Sequence, residues 1–390
     1  MAPDRREFLR LAAPGLVAAV AGCPSGPTDG ADGPETGVEA VDTVPLEARS
    51  DRPAWDDEAI GRAVLVGGEE RERAALARYD AVGRRGTLGE FRSGIDYDRE
   101  RLLLVESSGP NACHDRLELD SIRAEDGRIR ADAAVVDSQE ATDERDLACA
   151  GVVTYPATLA RITAADDPLD SATVGVTDGW GRTGDVRAGV DDPLGPDPDS
   201  LPGAIRPDGD PEPIAPLECD RAGVERYAGW FEPDDVAWGD FGDGDGNGGD
   251  SSGDVDGGGD SSGDGPALAL RIDDTAYERG GTASIRLWNV ADRLVNTGNS
   301  RKYALEVYTE SGWQDVRVGD ADGFRGYTDE AVSHAPGEGF EWSIELTESG
   351  IAASAPHDGV AVCPALAPGR YRFVYWGAIG GAVAVGFEVS

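Results

Sequence analysis

The stretch "TASIRLW", Thr282–Trp288, sets the pattern for the second half of the chain. Ala283, Ile285 and Leu287 alternate with the other residues of the stretch, which is the period of a strand with one buried face. The same period recurs in three later runs: Leu305 and Val307; Trp342, Ile344 and Leu346; and Val383, Val385, Phe387 and Val389. Turn signals separate the runs, at Gly280-Gly281, Ser311-Gly312, Pro336-Gly337, Pro368-Gly369 and Gly380-Gly381. The pattern predicts a β-sandwich over residues 217–390.

The order of turns and strands in this half resembles the bacterial-type immunoglobulin-like domains of surface lipoproteins. The matching segments are Gly281–Ile285, Ser311–Trp313, Ala335–Glu338 and Leu366–Phe373. The resemblance implies an immunoglobulin-like sandwich in a cell-surface setting. It implies no activity, because such sandwiches host many unrelated functions.

A tract rich in Gly, Asp and Ser, residues 242–265, matches two functional templates. Asp243, Asp245, Asn247, Gly248 and Asp254 fall at calcium-loop positions, and Ser251 and Ser261 each stand in a G-x-S-x-G motif. Neither flank has the apolar period of the helices or strands that these sites need. We interpret the tract as a loop insertion, with weak cation binding left open. We expect it to interrupt the sandwich, between Cys219 and the strands that reach Cys363, and the exact boundary of this last domain stays open.

Residues 55–190 predict a small, mostly antiparallel β (α+β) domain. Residues 69–80 are compatible with a short helix, Leu102–Val105 is a buried strand, and Asp126-Gly127 is a hairpin turn between two strands. A further strand reaches Ile162, and Pro156 predicts that it lies at an edge or a bulge. Val174–Thr177 adds another strand.

The same segments resemble the C-terminal domain of the PrcB family, subunits of a secreted protease complex. The resemblance rests on Leu102–Val105, Asp126-Gly127, Thr154-Tyr155-Pro156, Leu159 and Ile162. Residues 107–113 stand where that family has a Gly-rich segment. The resemblance implies an alternative function, an accessory or inhibitory subunit of a secreted protease.

The N-terminus, residues 1–23, resembles a twin-arginine lipoprotein signal peptide. Arg5, Arg6, Phe8 and Leu9 match the export motif, and Cys23 ends a lipobox-like "VAGC". The apolar stretch between them is too short to span a bilayer. These motifs predict export by the twin-arginine translocase and a lipid on Cys23, which places the protein on the extracellular face of the cell membrane. Residues 24–54 have no apolar period and predict a disordered tether.

Export makes disulfide bonds possible for the other cysteines, Cys113, Cys149, Cys219 and Cys363. Four cysteines allow three pairings. The domain layout favours Cys113–Cys149 and Cys219–Cys363. Between these pairs, residues 191–216 are rich in Pro and Asp and predict an acidic, disordered linker.

The charge balance excludes one class of partner. The chain has 75 acidic and 35 basic residues, a net charge of −40, and a single lysine, Lys302. Such a surface repels nucleic acid. It also repels itself, and molar salt screens this repulsion. The composition resembles that of proteins from extreme halophiles.

No constellation of side chains indicates catalysis or a bound metal. The three histidines, His114, His334 and His357, lack metal-site spacing, and Cys113 beside His114 is interpreted as a structural cysteine. We therefore predict that the protein is not an enzyme and has no metal or cofactor.

Two sets of aromatic residues are candidates for recognition. Trp230, Phe231, Trp238 and Phe241 precede the tract, and we expect them to cap the sandwich core. Trp288, Trp313 and Trp376 are expected to be exposed or half-exposed. The leading hypothesis is a non-catalytic, lipid-anchored surface protein that presents β domains to an unknown surface protein or glycan.

Overall fold

The fold is mostly β. A computed structural model describes residues 37–46, 53, 55, 59–79, 85–138, 149–228, 230–242, 265–320, 328, 330–355 and 359–390. Residues 36–390 form one compact unit. Within it we distinguish an N-terminal region (residues 37–190), a connecting segment (residues 191–216) and a C-terminal region (residues 217–390). In the described part of the chain, no helix is both long and apolar enough to cross a bilayer.

In the part of the N-terminal region that the structure describes, there are eight strands and two α-helices. In chain order they are β1 Val38–Leu46, β2 Gly61–Val66, α1 Glu69–Leu76, α2 Arg85–Arg92, β3 Glu100–Ser107, β4 Arg116–Glu125, β5 Arg128–Val136, β6 Ala157–Ala164, β7 Ser171–Thr177 and β8 Thr183–Gly189. They form two four-stranded sheets, with strand orders β1-β6-β3-β2 and β4-β5-β7-β8. Most pairs are antiparallel, and β5 and β7 are parallel.

The sheet that contains β3 is buried on both faces. Leu103 and Val105 pack with Ile129 and Val174 in the core between the two sheets. The other face, including Leu104, packs with the side chains of α1 and α2. This two-sided burial explains the unbroken apolar run of β3, because a strand buried on both faces has no polar alternation.

The predicted hairpin is confirmed, and one predicted strand position is wrong. Asp126 and Gly127 have φ of 52° and 73°, which are the positive values of a type I′ turn between β4 and β5. Strand β6, by contrast, lies inside its sheet between β1 and β3 and not at an edge. Pro156 precedes β6, so its missing N–H removes no hydrogen bond from the ladder.

Part of the predicted tether is a strand. Val38–Leu46 pairs with β6 along almost its full length, so the disorder predicted for residues 24–54 is wrong for these residues. Most of β1 is exposed, and only Val44 and Leu46 are buried. An exposed edge strand has no apolar alternation, which explains why the sequence does not predict it. Residues 24–36 lie outside the described residues.

Among its described residues, the C-terminal region has fifteen strands and one α-helix. The first eight strands are β9 Val224–Arg226, β10 Val236–Trp238, β11 Asp240–Gly242, β12 Pro266–Ile272, β13 Ala276–Tyr277, β14 Thr282–Asn289, β15 Val295–Thr297 and β16 Tyr303–Thr309. The others are β17 Gly312–Asp315, β18 Arg317–Asp320, β19 Val332–His334, β20 Glu341–Glu345, α3 Glu348–Ser354, β21 Ala361–Val362, β22 Gly369–Tyr375 and β23 Ala382–Val389.

Two sheets of this region pack face to face. Sheet I has the order β11-β12-β14-β20, and sheet II has the order β10-β23-β22-β16-β17. The alternating residues predicted from the sequence meet in one core, where Ile285 and Ile344 of sheet I lie with Leu305, Val385 and Phe387 of sheet II. The predicted sandwich is therefore a two-sheet structure with one shared core.

The Gly/Asp/Ser-rich tract connects two paired strands. Phe241 of β11 lies opposite Leu268 of β12 in an antiparallel ladder, so the chain leaves sheet I at β11 and returns to it at β12. The tract therefore interrupts the C-terminal region. The calcium-loop and G-x-S-x-G positions, residues 243–264, lie outside the described residues.

The connecting segment is ordered, and the disorder predicted for residues 191–216 is wrong. Leu194 is buried in the N-terminal region beside α1. Leu201 packs against buried residues of sheet I, and Ala204 bridges to Ile272 of β12. Ile214 forms a bridge with Thr309 of β16. Sparse apolar residues at these docking points are enough to order a segment whose overall composition is polar.

Candidate functional site

Both disulfide bonds favoured by the domain layout are present. Cys113 bonds Cys149 in the N-terminal region, and Cys219 bonds Cys363 in the C-terminal region. The second bond ties the residues before the tract to those after it. The predicted export residues Arg5, Arg6, Phe8 and Leu9 and the predicted lipidation site Cys23 lie outside the described residues.

The two described histidines lie in different regions and do not form a shared site. His114 is half-buried, and its Nδ1 lies 3.0 Å from Oδ1 of Asn111. His334 is buried, and its Nε2 lies 2.9 Å from the hydroxyl of Thr297. Burial lowers the pKa of His334 to about 4. Within the described ranges, no group of three or more His, Cys, Asp or Glu residues is placed to hold a metal ion.

The outer face of sheet II has small residues in the centre and large aromatic residues above them. The outward positions of β22 and β23 include Val374, Ala384 and Gly386. Val374 lies opposite Ala384 in the ladder, and Gly386 lies two residues further along β23 on the same face. Trp238 comes from β10 at one edge of the sheet and Trp313 from β17 at the other. Their ring centroids lie 6.3 Å apart, so the two side chains meet over the small residues.

Gly386 is required for this close packing. A Cβ added there would lie 3.3 Å from the ring of Trp238 and 3.2 Å from Cβ of Arg206. Ala304, Ala382 and Ala384 contribute the other small outward side chains, and Trp238 packs against them. Small residues therefore make room for an aromatic layer on this face.

A buried ion pair lies under this layer. Nε of Arg372 donates to Glu306 at 2.6 Å, and both side chains are buried. The guanidinium carbon of Arg372 lies 4.5 Å from the ring centroid of Trp313, which is a cation–π distance. Burial raises the pKa of Glu306, although Arg372 opposes this, and burial lowers the pKa of Arg372. The ring of Trp313 therefore shields a charged pair from water.

Tyr308 continues the aromatic layer toward the end of the sheet. It lies opposite Trp313 in the ladder between β16 and β17, with ring centroids 5.1 Å apart and planes inclined by 56°. The ring of Trp313 therefore lies beside both Trp238 and Tyr308. We refer to these three rings as the aromatic floor.

Arg370 holds a loop against this floor. Its guanidinium donates to the backbone oxygens of Pro207 and Asp208 at 3.3 and 3.2 Å. It also pairs with Glu388 at 2.8 Å. Arg370 is buried, so these bonds fix residues 206–211, the rim loop, in a defined position.

The rim loop and the aromatic floor enclose a cavity of about 490 Å³, the aromatic pocket. This is within the roughly 300–1,000 Å³ of small-ligand sites, which combine aromatic walls with a few polar groups. Arg206 extends over the ring of Trp238 at 5.2 Å, and Asp208 and Asp210 are exposed on the rim. The pocket can therefore offer stacking surfaces, a guanidinium and two carboxylates to one ligand.

A second aromatic feature lies on the same face of sheet II. Trp230 is 75% exposed and stacks on Trp376, with ring centroids 6.2 Å apart and an angle of 13° between the planes. The ammonium group of Lys302 lies 5.7 Å from the ring centroid of Trp376. We refer to Trp230 and Trp376 as the stacked pair.

A cavity of about 850 Å³ lies between the N-terminal and C-terminal regions. Two arginines in its wall have structural partners within the N-terminal region. Arg71 donates to backbone oxygens of Leu65 and Gly189 at 2.8 and 3.3 Å, and Arg101 pairs with Asp170 at 2.6 Å. The backbone N–H groups of Leu194 and Gly195 donate to Asp292 at 2.5 and 3.2 Å, which ties the connecting segment to the C-terminal region. We assign the cavity a structural role.

A third cavity, of about 560 Å³, lies on the sheet β4-β5-β7-β8. Asp120, Asp132 and Asp185 line it around Gly175, with no aromatic residue in its wall. It therefore lacks the stacking surfaces of the aromatic pocket.

Sequence reasoning identified part of the aromatic site. Trp238 and Trp313 were both recognised as candidates, and Phe241 packs against the sandwich core as expected. Trp288 is 6% exposed on sheet I, so its predicted exposure is wrong. Residues Arg206, Asp208, Asp210, Tyr308 and Arg370 were missed, because they lie far apart in sequence and converge only in the fold.

Comparison of the chain with known proteins finds no matching family model and no matching curated protein.

Proposed function

We propose that this chain is a non-catalytic, lipid-anchored protein of the extracellular cell surface that binds glycans in the aromatic pocket. The observation that carries the proposal is the pocket itself, an aromatic floor of Trp238, Trp313 and Tyr308 beneath a polar rim loop. The export motif and Cys23 support the location. The two disulfide bonds also support it, because disulfides persist in oxidising environments outside the cytoplasm.

The chemistry of the pocket favours a sugar over other small ligands. A sugar ring has apolar C–H faces that stack on aromatic rings and hydroxyl groups around its edge. The carboxylates of Asp208 and Asp210 accept hydrogen bonds from hydroxyls, and the guanidinium of Arg206 donates them. The rings of Trp238 and Tyr308 lie on either side of Trp313, and such a row of rings favours a ligand that stacks along it.

Stacking also suits the charge of this protein. At a net charge of −40, the chain needs high salt to limit its self-repulsion. Molar salt weakens contacts between exposed charges, since the Debye length falls to about 3 Å at 1 M. Contacts between aromatic rings and apolar sugar faces are not screened in this way. The pocket can therefore retain a neutral ligand in the salt that the acidic surface requires.

Saccharide titration of the full chain in molar salt tests the proposal. Calorimetry and tryptophan fluorescence would follow binding of neutral mono- and oligosaccharides. Trp313→Ala removes part of the floor, and we expect it to weaken binding by about tenfold or more. Trp180→Ala is the matched control, because Trp180 is 50% exposed in the N-terminal region, and it should bind like the parent. Hydrolysis of a bound saccharide, or no binding by folded protein, would contradict the proposal.

A separate experiment tests the anchor. Cys23→Ser removes the thiol that would carry the lipid, and we expect it to move the protein from the membrane fraction to the medium. Arg5→Lys with Arg6→Lys should block export and retain the chain inside the cell. A Cys23→Ser protein that stays with the membrane would contradict lipid anchoring. Capture of a protease as the main partner from membranes in molar salt would favour the alternative, an accessory or inhibitory protease subunit.

A further inference from the structure

The stacked pair is separate from the aromatic pocket but stands on the same sheet. Trp376 and Trp238 both pack against the patch of small residues on the outer face of sheet II, which contains Ala304, Ala382 and Ala384. The two aromatic features therefore share one buried apolar patch, with Phe231 and Val236 also packed against it.

The distance between the features follows from the strand that links them. Trp376 comes directly after β22, and Arg370, which lines the pocket, is six residues earlier on that strand. At about 3.3 Å per residue, Arg370 at the far wall of the pocket is about 20 Å from Trp376 along the strand. Trp238 of the floor is nearer, because it comes from a strand two away and is level with Val374, two residues before Trp376. A single sugar ring cannot reach both features, whereas an oligosaccharide of several units can.

The exposure of Trp230 also points to a ligand. Large aromatic residues in a folded protein bury most of their surface, and Trp230 leaves 75% of its surface in water although it stacks on Trp376. The parallel planes of the pair leave an outer indole face exposed. Lys302, the single lysine of the chain, adds a hydrogen-bond donor beside the ring of Trp376.

The charges around both features determine which glycans fit. Asp208 and Asp210 border the pocket, and Glu232 and Asp235 follow Trp230 in sequence, all four of them exposed. Molar salt screens the net charge of the chain, but at the contact distance of a bound ligand these carboxylates still repel uronic acids, sulfated sugars and other anionic chains. A neutral glycan meets no such repulsion and can use the carboxylates as hydrogen-bond acceptors.

We infer that the aromatic pocket and the stacked pair are two subsites for one linear, neutral oligosaccharide that lies along the outer face of sheet II. The inference rests on the proposed function, because it extends the glycan site. It adds the length of the ligand, its lack of charge and a second contact at Trp230.

Ladders of neutral oligosaccharides test this inference. The full chain in molar salt would be titrated with linear oligomers of glucose, mannose and N-acetylglucosamine, each from the monomer to the hexamer. For a ladder that binds, we expect affinity to rise with length until both subsites are filled. Trp230→Ala should leave the affinity for the shortest oligomers unchanged and weaken the longest by about tenfold. Trp180→Ala should behave like the parent at every length.

The outcomes separate the inference from the proposed function. If a ladder binds and Trp230→Ala weakens all lengths equally, or none, the inference is overturned while the glycan pocket stands. If no ladder binds to folded protein, the proposed function is overturned together with the inference. Preference for an anionic ladder of the same length, or for a proline-rich peptide, would also overturn the inference.

Discussion

The outer faces of the two central sheets are covered in different ways. In the N-terminal region, the outer face of the sheet β1-β6-β3-β2 carries leucines such as Leu102 and Leu104, and two helices of the chain cover it. In the C-terminal region, the outer face of sheet II carries alanines, Gly386 and the Arg372–Glu306 pair. No helix in the described part of the chain covers this face, and the half-buried Trp238, Tyr308 and Trp313 lie over it instead.

This difference separates a structural face from the face that we propose for recognition. A helix that covers a sheet excludes water and ligands alike, and its side chains interlock with the leucines beneath it. A layer of half-exposed indoles excludes water from the ion pair but keeps ring surface available to a ligand. The proposed function therefore depends on the sheet whose cover is incomplete.

Removing the disulfide bonds should have the largest effect, and the two regions should respond differently. Cys219 and Cys363 are 144 residues apart, and Cys113 and Cys149 are 36 apart. Because the longer loop restricts the unfolded chain more, we expect Cys219→Ser with Cys363→Ser to cost about 5 kcal/mol and the other pair about 4 kcal/mol. Chemical unfolding in constant salt measures both values. A larger loss in the N-terminal pair would contradict the loop-closure explanation.

Truncating one residue from each outer face tests the comparison directly. Leu104 is 2% exposed beneath the helices, and we expect Leu104→Ala to lower the free energy of unfolding by about 3–4 kcal/mol. Trp238 is half-buried, and Trp238→Ala should cost about 1–2 kcal/mol, since less of its surface leaves water on folding. Thermal and urea unfolding would give both values. Equal costs would mean that Trp238 belongs to the core and is not a ligand-binding floor.

A smaller effect should appear in the pH dependence of stability. Burial lowers the pKa of His334 to about 4, against about 6.5 for an exposed histidine. As the pH falls through this window, the unfolded chain binds a proton that the folded chain does not, so the free energy of unfolding decreases. The loss should reach about 3 kcal/mol near pH 4.

The variants His334→Gln and His114→Gln separate this contribution from that of the carboxylates. His334→Gln should show a shallower decrease in stability between pH 6.5 and pH 4. His114→Gln removes the half-buried histidine of the N-terminal region and is the matched control. The same slope in both variants would show that His334 does not cause the effect.

Local patterns were enough to predict much of the fold. The alternating runs of the C-terminal region predict β14, β16, β20 and β23 in their observed places, because each strand buries one face. The Asp126-Gly127 turn predicts the hairpin, since its positive φ values favour these residues. Strand β1 and helix α2 were missed, because an exposed edge strand and a short helix have weak local patterns.

The site was less predictable than the fold. Single aromatic residues such as Trp313 can be recognised as candidates, but their partners cannot. Tyr308, Arg370 and the rim loop meet only after sheet II has formed, and ladder register decides which residues lie side by side. Register depends on contacts between distant strands, which no local pattern contains.

The sequence by itself determined the mostly β class, the acidic surface and the strands that bury one face, because composition and alternation act locally. It also indicated the disulfide pairing through the layout of the domains. Only the tertiary structure decided which sheet face is covered by helices and which by indoles. The cover of each face depends on where the edge strands and the connecting segment pack, and these are distant from one another in the sequence. Their packing against the sheet forms the pocket, and their composition alone does not predict it.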